Sequence, residues 1–335
     1  MCFFVVSNLE SRRTDYFIKA GIHLGVDTRF LTYEELLWRL PKMQRAVVKL
    51  EPLIYQEVGL AAYAELCAGD RRMLEDLENR QKAVDVHFLN SPRSIALAWD
   101  KLRCKEALLA AGLPVTPLLA TEVTDFDTLS EIVAATPRGV FLKSRYGSGA
   151  GGMMAIRYQS RRNLWVAYTT LAHHGTWVYN TKKIHRLTDK TEIAILAKAV
   201  LEIGALVEEW VPKESFGGRN YDLRLVCRQE EVDYAVVRYS NGAITNLHLN
   251  NQAGNFEELE LAPSLQHEIF ELSVAAARVM GLYYAGVDVL VEKTSSHPAI
   301  IEVNGQGDHI YQDIFYENRI YTRQIQALLH AEKYR

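Results

Sequence analysis

A chain of 335 residues is long enough for two or three structural units with substantial cores, and its 48% hydrophobic and 24% charged residues are those of an ordinary soluble protein. A formal net charge of -3 argues against chain-wide attraction to nucleic acid. Cys2, Cys67, Cys104 and Cys227 are far apart, with no CxxC pair and no histidine at zinc spacing, which fits a reducing cytoplasm; the start MCFFVVSNLE lacks a basic n-region, and no run approaches the roughly 18 apolar residues of a membrane span, so neither export nor membrane insertion is expected.

Phe3 to Val6 reads as a buried strand, Glu10 to Leu24 as a helix ending near Gly25, and Thr28 to Leu31 as the next strand, a βαβ opening. Ser7-Asn-Leu-Glu-Ser11 stands where a dinucleotide site needs G-x-G-x-x-G, which disfavours a nicotinamide enzyme. Ala46 to Leu50 and Val86 to Leu89 continue as strands around a helical stretch from Val58 to Leu77, giving a small doubly wound domain over residues 1–90. Asn90-Ser-Pro-Arg93 is a turn, and the helix after it stops at Gly112. Asp100 and Lys101, ahead of the apolar pattern, read by default as a solvated helix start.

Gly139 to Arg157 spells strand, glycine-dense loop, strand. Gly147, Gly149, Gly151 and Gly152, with Ser148 among them, let the backbone approach a ligand and aim successive N–H groups at an anion. Lys143, in phase with Phe141, places an ammonium beside them. This is not a Walker loop, because no Gly-Lys-Ser/Thr follows, and a lysine ahead of the glycines reverses the protein-kinase order. A flexible hairpin tip would read the same way. Residues 158–206 read as helix, short hairpin and helix, with Thr176 to Tyr179 the strand and Thr191 to Ile203 the clearer helix. Lys182-Lys183-Ile184-His185-Arg186 reads as a solvated loop, with contact to an anionic substrate as the alternative; His173 and His174, adjacent, face different ways and form no metal pair.

Ala205 to Pro212 is a strand stopped by proline, able to offer backbone groups to an adenine edge, with Trp210 and Val211 beside the ring. Tyr221 to Val226 sets Asp222 and Arg224 on one face, often just a cross-face ion pair. Val232 to Tyr239 is a strand containing Arg238, Asn246 to Gly254 an amide-rich loop, Ser264 to Met280 an amphipathic helix, and Tyr316 to Glu332 the closing helix. Between the last two, Val287 to Val291 and Ala299 to Asn304 flank the turn residues Thr294 to His297, which is how an antiparallel hairpin is written. A turn centred on Ser295 sets Asp288 directly across from Glu302, with Asn304 on the same face. Facing carboxylates repel unless something positive lies between them, and an all-oxygen set is what Mg²⁺ accepts, usually alongside phosphates. Two separate surface acids are the plainer alternative.

In order and spacing, Asn90-Ser-Pro, Asp100-Lys101, Lys143 with its glycine loop, Glu208-Glu209-Trp210-Val211, Asp222-x-Arg224, Asn246-Leu-His248, Ala285-Gly-Val-Asp288 and Glu302-Val-Asn304 resemble the ATP-grasp superfamily. The resemblance is closest to its RimK-like, glutathione synthetase-like carboxylate-amine ligases and covers about residues 85–310. It implies a mixed α/β and α+β architecture, an ATP-grasp fold behind an N-terminal doubly wound domain. The divisions would be 1–90, a central subdomain 91–206 with the glycine loop, and a C-terminal subdomain 207–335 with the Mg²⁺ site. ATP would lie between two lobes. Lys101 and Lys143 would bind phosphates, the Gly147 to Gly152 loop would close over them, and Glu208 to Val211 would meet adenine. Asp222 or Glu214 would hold the ribose, Arg224 would stabilise the transferred phosphoryl group, and Asn246 would lie near metal and γ-phosphate. Asp288, Glu302 and Asn304 would hold Mg²⁺, or Mn²⁺ in its place.

The implied activity is ATP-dependent joining of a carboxylate and an amine through an acyl-phosphate. The implied partners are small-molecule or peptide substrates, with neither nucleic acid nor membrane, in a cytoplasmic protein that could form a homo-oligomer. A nucleotide-binding assembly or regulatory protein and a phosphotransferase are the alternatives on the same fold. Two departures stand out. Ile244 replaces the arginine such enzymes carry two residues before the Asn-Leu-His element, unless Arg238 or the Lys182 cluster substitutes, and Gly305-Gln-Gly-Asp-His309 replaces the usual Ser-Pro-Gly type. Both fall near the acceptor, so the substrate does not follow from the family.

Overall fold

Short apolar, β-branched runs build the first layer. β1 (Cys2–Val6), β2 (Thr28–Leu31), β3 (Gln44–Leu50) and β4 (Asp85–Phe88) form a parallel sheet in the order β2-β1-β3-β4. Parallel neighbours need crossover connections, supplied by α1 (Arg12–His23), α2 (Tyr33–Arg39) and α3 (Leu60–Gln81). Reciprocal capping boxes at Ser11 and Thr32 start α1 and α2. The computed structural model describes residues 2–55, 58–147, 151–249, 251–306 and 318–333. No helix among them is long and apolar enough to cross a membrane.

Two short helices, α4 (Pro92–Trp99) capped by Ser91 and α5 (Lys101–Ala110) capped by Asp100, lead into a second, antiparallel sheet. Its strands are β5 (Leu118–Ala120), β6 (Val140–Ser144), β7 (Met153–Gln159), β8 (Leu164–His174), β9 (Trp177–Leu187) and β10 (Ala205–Glu209), in the order β5-β10-β6-β7-β8-β9. The helices α6 (Phe126–Ala135) and α7 (Lys190–Glu202) share its apolar core through Leu129, Val133, Ile193 and Ala197. Here the structure corrects the sequence reading. The helix expected after residue 158 is the long β8–β9 hairpin, because Leu164-Trp-Val-Ala-Tyr-Thr-Thr is rich in aromatic and β-branched side chains that crowd a helix and suit a pleated surface. Lys182 to Arg186 therefore lies on the edge strand β9 and not in a loop, where charge discourages pairing with other chains.

The third sheet contains β11 (Ser215–Phe216), β12 (Arg219–Arg228), β13 (Glu231–Ser240), β14 (Gln252–Asn255), β15 (Tyr284–Val291) and β16 (Pro298–Asn304), in the order β14-β13-β12-β15-β16, with β11 on β12. α8 (Pro263–Val279) covers one face, packing Ile269, Ala276 and Ala277 with Leu225, Val287 and Ile300. The closing helix α9 (Arg319–Lys333) returns to the first layer, where Tyr321, Ile325 and Leu328 pack with Phe3, Val5 and Phe17.

Asn90 joins layers. Its Nδ2 donates to the carbonyls of Tyr284 (2.7 Å) and Gly305 (2.8 Å), and its Oδ1 accepts from the Tyr284 N–H (3.0 Å), so it bridges the two open ends of the β15–β16 hairpin. Asn90→Ala removes all three bonds and should destabilise the protein by about 3 kcal/mol, read as a lower urea midpoint at unchanged slope.

Candidate active site

The β15–β16 hairpin has the expected register: Asp288 faces Glu302, and Gly286 faces Asn304. Strand alternation then turns Asp288, Glu302 and Asn304 to one face, which opens on a cavity of about 610 Å³ where the three sheets meet. Asn304 Nδ2 donates to the Gly286 carbonyl at 3.3 Å, and since a carbonyl only accepts, the amide oxygen is the atom left to act as a ligand. Two carboxylates and an amide oxygen fit a hard divalent cation. No group of three His, Cys, Asp or Glu side chains able to hold a metal occurs among the described residues, so phosphate oxygens would have to complete the shell.

Behind this face the charges interlock across strands. Asp222 and Arg224 do not pair with each other, as their shared face suggested, because β12 lies between two strands that each supply a partner. Asp222 accepts from Arg238 Nε at 2.6 Å, from Lys213 Nζ at 2.7 Å and from the Thr245 hydroxyl. Arg224 bonds Asp288 through Nε and through Nη2 at 3.3 Å, and Arg238 Nη1 also reaches Asp288, at 3.1 Å. Burial would raise the Asp222 carboxyl, but Arg238 and Lys213 overcome it and hold the group at about 2. Ile244, in an apolar cluster with Ala155, Ala243 and Leu249, lines the cavity, and Arg238 enters the cavity wall from β13. None of residues 182–186 lines the cavity.

The opposite wall carries the lysines. Lys143 on β6 and Glu208 on β10 point to the same side of the second sheet. Glu208, 2% exposed, accepts from Lys143 Nζ (2.8 Å) and Thr116 Oγ1 (2.8 Å), with Lys105 Nζ at 3.2 Å. Burial pushes this carboxyl up, but the two ammonium groups prevail and bring it from 4.5 to about 2. Because the folded value lies below the unfolded one, the resulting stability is present above about pH 4.5 and is lost as pH falls toward 2, on the order of 3 kcal/mol. Wild type should therefore lose urea resistance steeply across that window. Glu208→Gln should be less stable at neutral pH and show a shallower acid slope.

Asp100 and Lys101 are no solvated helix start. Asp100 is buried and takes a bidentate pair from Arg145 (2.8 and 2.7 Å) and the Tyr146 hydroxyl (2.9 Å), while Lys101 Nζ donates to the Gly147 carbonyl at 2.7 Å. The foot of the glycine loop is thus fixed to α5. Gly152 adopts φ +65°, and a Cβ there would come within 2.8 Å of Ser144 Oγ, so no side chain fits where the loop rejoins β7. Its N–H donates to Asn180 Oδ1 at 3.1 Å. Gly147 and Gly151 line the cavity; Ser148 and Gly149 lie outside the described residues, as do residues 307–309.

At the β10 end, Glu209 and Val211 reach the cavity wall and Trp210 does not. Its N–H donates to the Gly139 carbonyl at 2.9 Å, and its ring packs beside Phe141 with the Arg157 guanidinium 4.5 Å from its centroid. The expectation of Trp210 beside a bound ring is corrected accordingly: strand pairing fixes the backbone and turns the indole away. Of the two ribose candidates, Glu214 does not line the cavity and accepts the Ser215 N–H, while Asp222 does but is held by its three partners. Asn246 lines the cavity. Sequence reasoning missed Lys105, Thr116, Lys213 and Thr245, and marked Gln306 only within the divergent stretch Gly305 to His309. Of the missed residues only Lys105 left a signal, one helical turn after Lys101 and so on the same face of α5.

The pattern of the RimK-like ATP-grasp domain matches residues 98–313, which include both cavity walls. The chain belongs to the RimK-like ATP-grasp family. No curated protein matches it. Solved structures share the fold of this RimK-like protein along almost its whole length. D-cycloserine synthetase DcsG is 13% identical over 98% of this chain and 100% of its own, with a TM-score of 0.62. D-alanine–D-alanine ligase from Bacillus anthracis is 14% identical over 98% and 96%, with a TM-score of 0.58. The ATP-grasp ligase PsnB, complexed with minimal precursor, Mg and ADP, is 14% identical over 97% and 96%, with a TM-score of 0.57. At these identities the likeness establishes the fold.

Proposed function

We propose that this RimK-like protein is an ATP- and Mg²⁺-dependent carboxylate-amine ligase that forms an amide and releases ADP and phosphate. The observation that carries the reading is one cavity in which Lys101 and Lys143, beside a glycine loop, face the oxygen-only set Asp288, Glu302 and Asn304. ATP-grasp ligases give the fold its context, and PsnB is known with Mg and ADP. Lys101 and Lys143 would hold phosphate oxygens, and Arg224 would turn from Asp288 to the transferred phosphoryl group. Asp288, Glu302 and Asn304 would hold Mg²⁺, which neutralises charge developing between the β- and γ-phosphates. A carboxylate oxygen attacks the γ-phosphorus and ADP leaves; the amine nitrogen then attacks the acyl carbon, the carbon–oxygen bond to phosphate breaks, and the displaced proton passes to solvent. Such chemistry needs positioning and charge more than a protein nucleophile, in keeping with a wall of lysines, arginines and carboxylates.

The test is a panel of carboxylates and amines with Mg-ATP, scored for ADP by a coupled assay and for product by mass spectrometry. ADP, phosphate and amide are expected in equal amounts. A phosphorylated product without amide would replace this reading with a phosphotransferase, and nucleotide binding without ADP across the panel would replace it with a binding protein.

A further inference from the structure

One end of the cavity has no part in the phosphate chemistry. It is bounded by the first layer, between the loop Pro52 to Tyr55, helix α3 and the end of β16. Asp70 of α3 lines it and accepts a hydrogen bond from the Tyr55 hydroxyl. Glu208, Asp222 and Asp288 each carry a lysine or arginine, but no basic side chain pairs with Asp70 among the described residues. Gln306 lines the same cavity. Its Nε2 donates to the Leu50 carbonyl at 3.2 Å and to the Tyr33 hydroxyl at 3.3 Å. A main-chain carbonyl only accepts, so these bonds fix which way the amide lies and leave Oε1 as an acceptor for whatever enters. Asp70 and Gln306 thus both line the end of the cavity that the first layer bounds. Leu53, Ile54, Met73 and Trp99 make much of the surrounding wall apolar, and Arg13, which also lines the cavity, is paired with Glu51 at 3.3 Å.

Two acceptors, one of them charged, in an apolar corner call for a cation that donates hydrogen bonds. A half-buried carboxylate is costly without a counter-ion, and an ammonium group supplies one charge and three donors. We propose that this corner binds the ammonium group of the amine substrate, with Asp70 supplying the charge and Gln306 Oε1 a second acceptor, and that this amine is carried on an apolar body. Naming the bound group as the amine that is joined rests on the ligase reading; the cation site does not. Burial also raises the Asp70 carboxyl above its ordinary range, the condition an arriving ammonium would relieve.

Phenethylammonium and 3-phenylpropionate, similar in body and opposite in charge, are titrated separately into the whole chain, with saturation-transfer NMR as readout. The cation should bind saturably and the anion should not. Asp70→Asn should weaken the cation by at least about tenfold and Gln306→Leu by about threefold or more, with Asp70→Glu retaining binding and Tyr55→Phe changing it little. Tyr33→Phe removes one support of Gln306 while sparing Oε1, so it separates contact from scaffolding and should leave binding near wild type. Unchanged affinity in a folded Asp70→Asn, or preference for the anion, would overturn the assignment. Should Asp70→Asn not fold, loss of cation binding by the wild type as Asp70 is protonated at acid pH supports the site, and binding unaltered by that protonation removes it. ADP release with phenethylammonium and the carboxylate panel is a separate readout. Cation binding without ADP keeps this site and removes the ligase reading, whereas ADP formation unaffected by Asp70→Asn keeps the ligase reading and removes this site.

Discussion

Glu302→Gln should lower ADP release by on the order of 10² to 10³-fold or more and leave the melting temperature almost unchanged. The asymmetry comes from the surroundings of the two facing acids. Asp288 is buried and paired with Arg224 and Arg238, so its removal would leave guanidinium groups without their partner. Glu302 is half-buried and makes no ion pair among the described residues, and glutamine keeps its length and shape. The substitution therefore removes a negative oxygen ligand with little disturbance of the sheet. Initial rates from a coupled ADP assay and a thermal melt measure the two halves, and Mn²⁺ paramagnetic resonance with a non-hydrolysable ATP analogue reads metal affinity directly. Turnover near wild type would remove Glu302 from the metal set.

Lys143→Ala should also lower ADP release by on the order of 10² to 10³-fold, through loss of a preorganised cation at the phosphates. Breaking a buried pair is usually destabilising because it leaves a lone charge. Here Glu208 keeps Lys105 at 3.2 Å and the Thr116 hydroxyl at 2.8 Å, so the fold should survive with a loss of about 1 to 2 kcal/mol. A urea midpoint and an ADP rate on the same preparation separate the effects. Lys143→Met, which keeps the stem, should recover packing and not rate. An active, well-folded Lys143→Ala would leave Glu208 as the sole purpose of the lysine.

The hairpin register was legible because its evidence is local: turn residues, two apolar runs and strict alternation decide which acids face each other. That Lys143 lies beside Gly147 and Gly151 was legible for the same reason. The pairing of Asp222 and Arg224 was not, because it depends on which strands flank β12. Arg238 lies 16 positions from Asp222 and Asp288 lies 64 from Arg224, and only the strand order β13-β12-β15 brings them together. Trp210 was misplaced because a strand's side-chain direction does not say whether its N–H is already taken by a neighbour. The β8–β9 hairpin was misread where tertiary pairing overrides a weak helical pattern, though its run of aromatic and β-branched residues carried the correct signal. Asp70 stands out only once the first layer is seen to wall the cavity, which also sets Gln306 apart within the divergent stretch Gly305 to His309.

The helix α9 has a bearing on how the protein is made. Its Tyr321, Ile325 and Leu328 belong to the same core as Phe3, Val5 and Phe17, and Asn318 bonds the Tyr16 carbonyl from 302 positions away. Strands β1 to β4 leave the ribosome before α9, and while α2 and α3 can cover one face of their sheet early, the face carrying Phe3 and Val5 lacks part of its cover until this last described helix has emerged. At ordinary elongation rates of about 5 to 20 residues per second, that surface stays open for tens of seconds, an interval in which a nascent chain is exposed to aggregation and to chaperones.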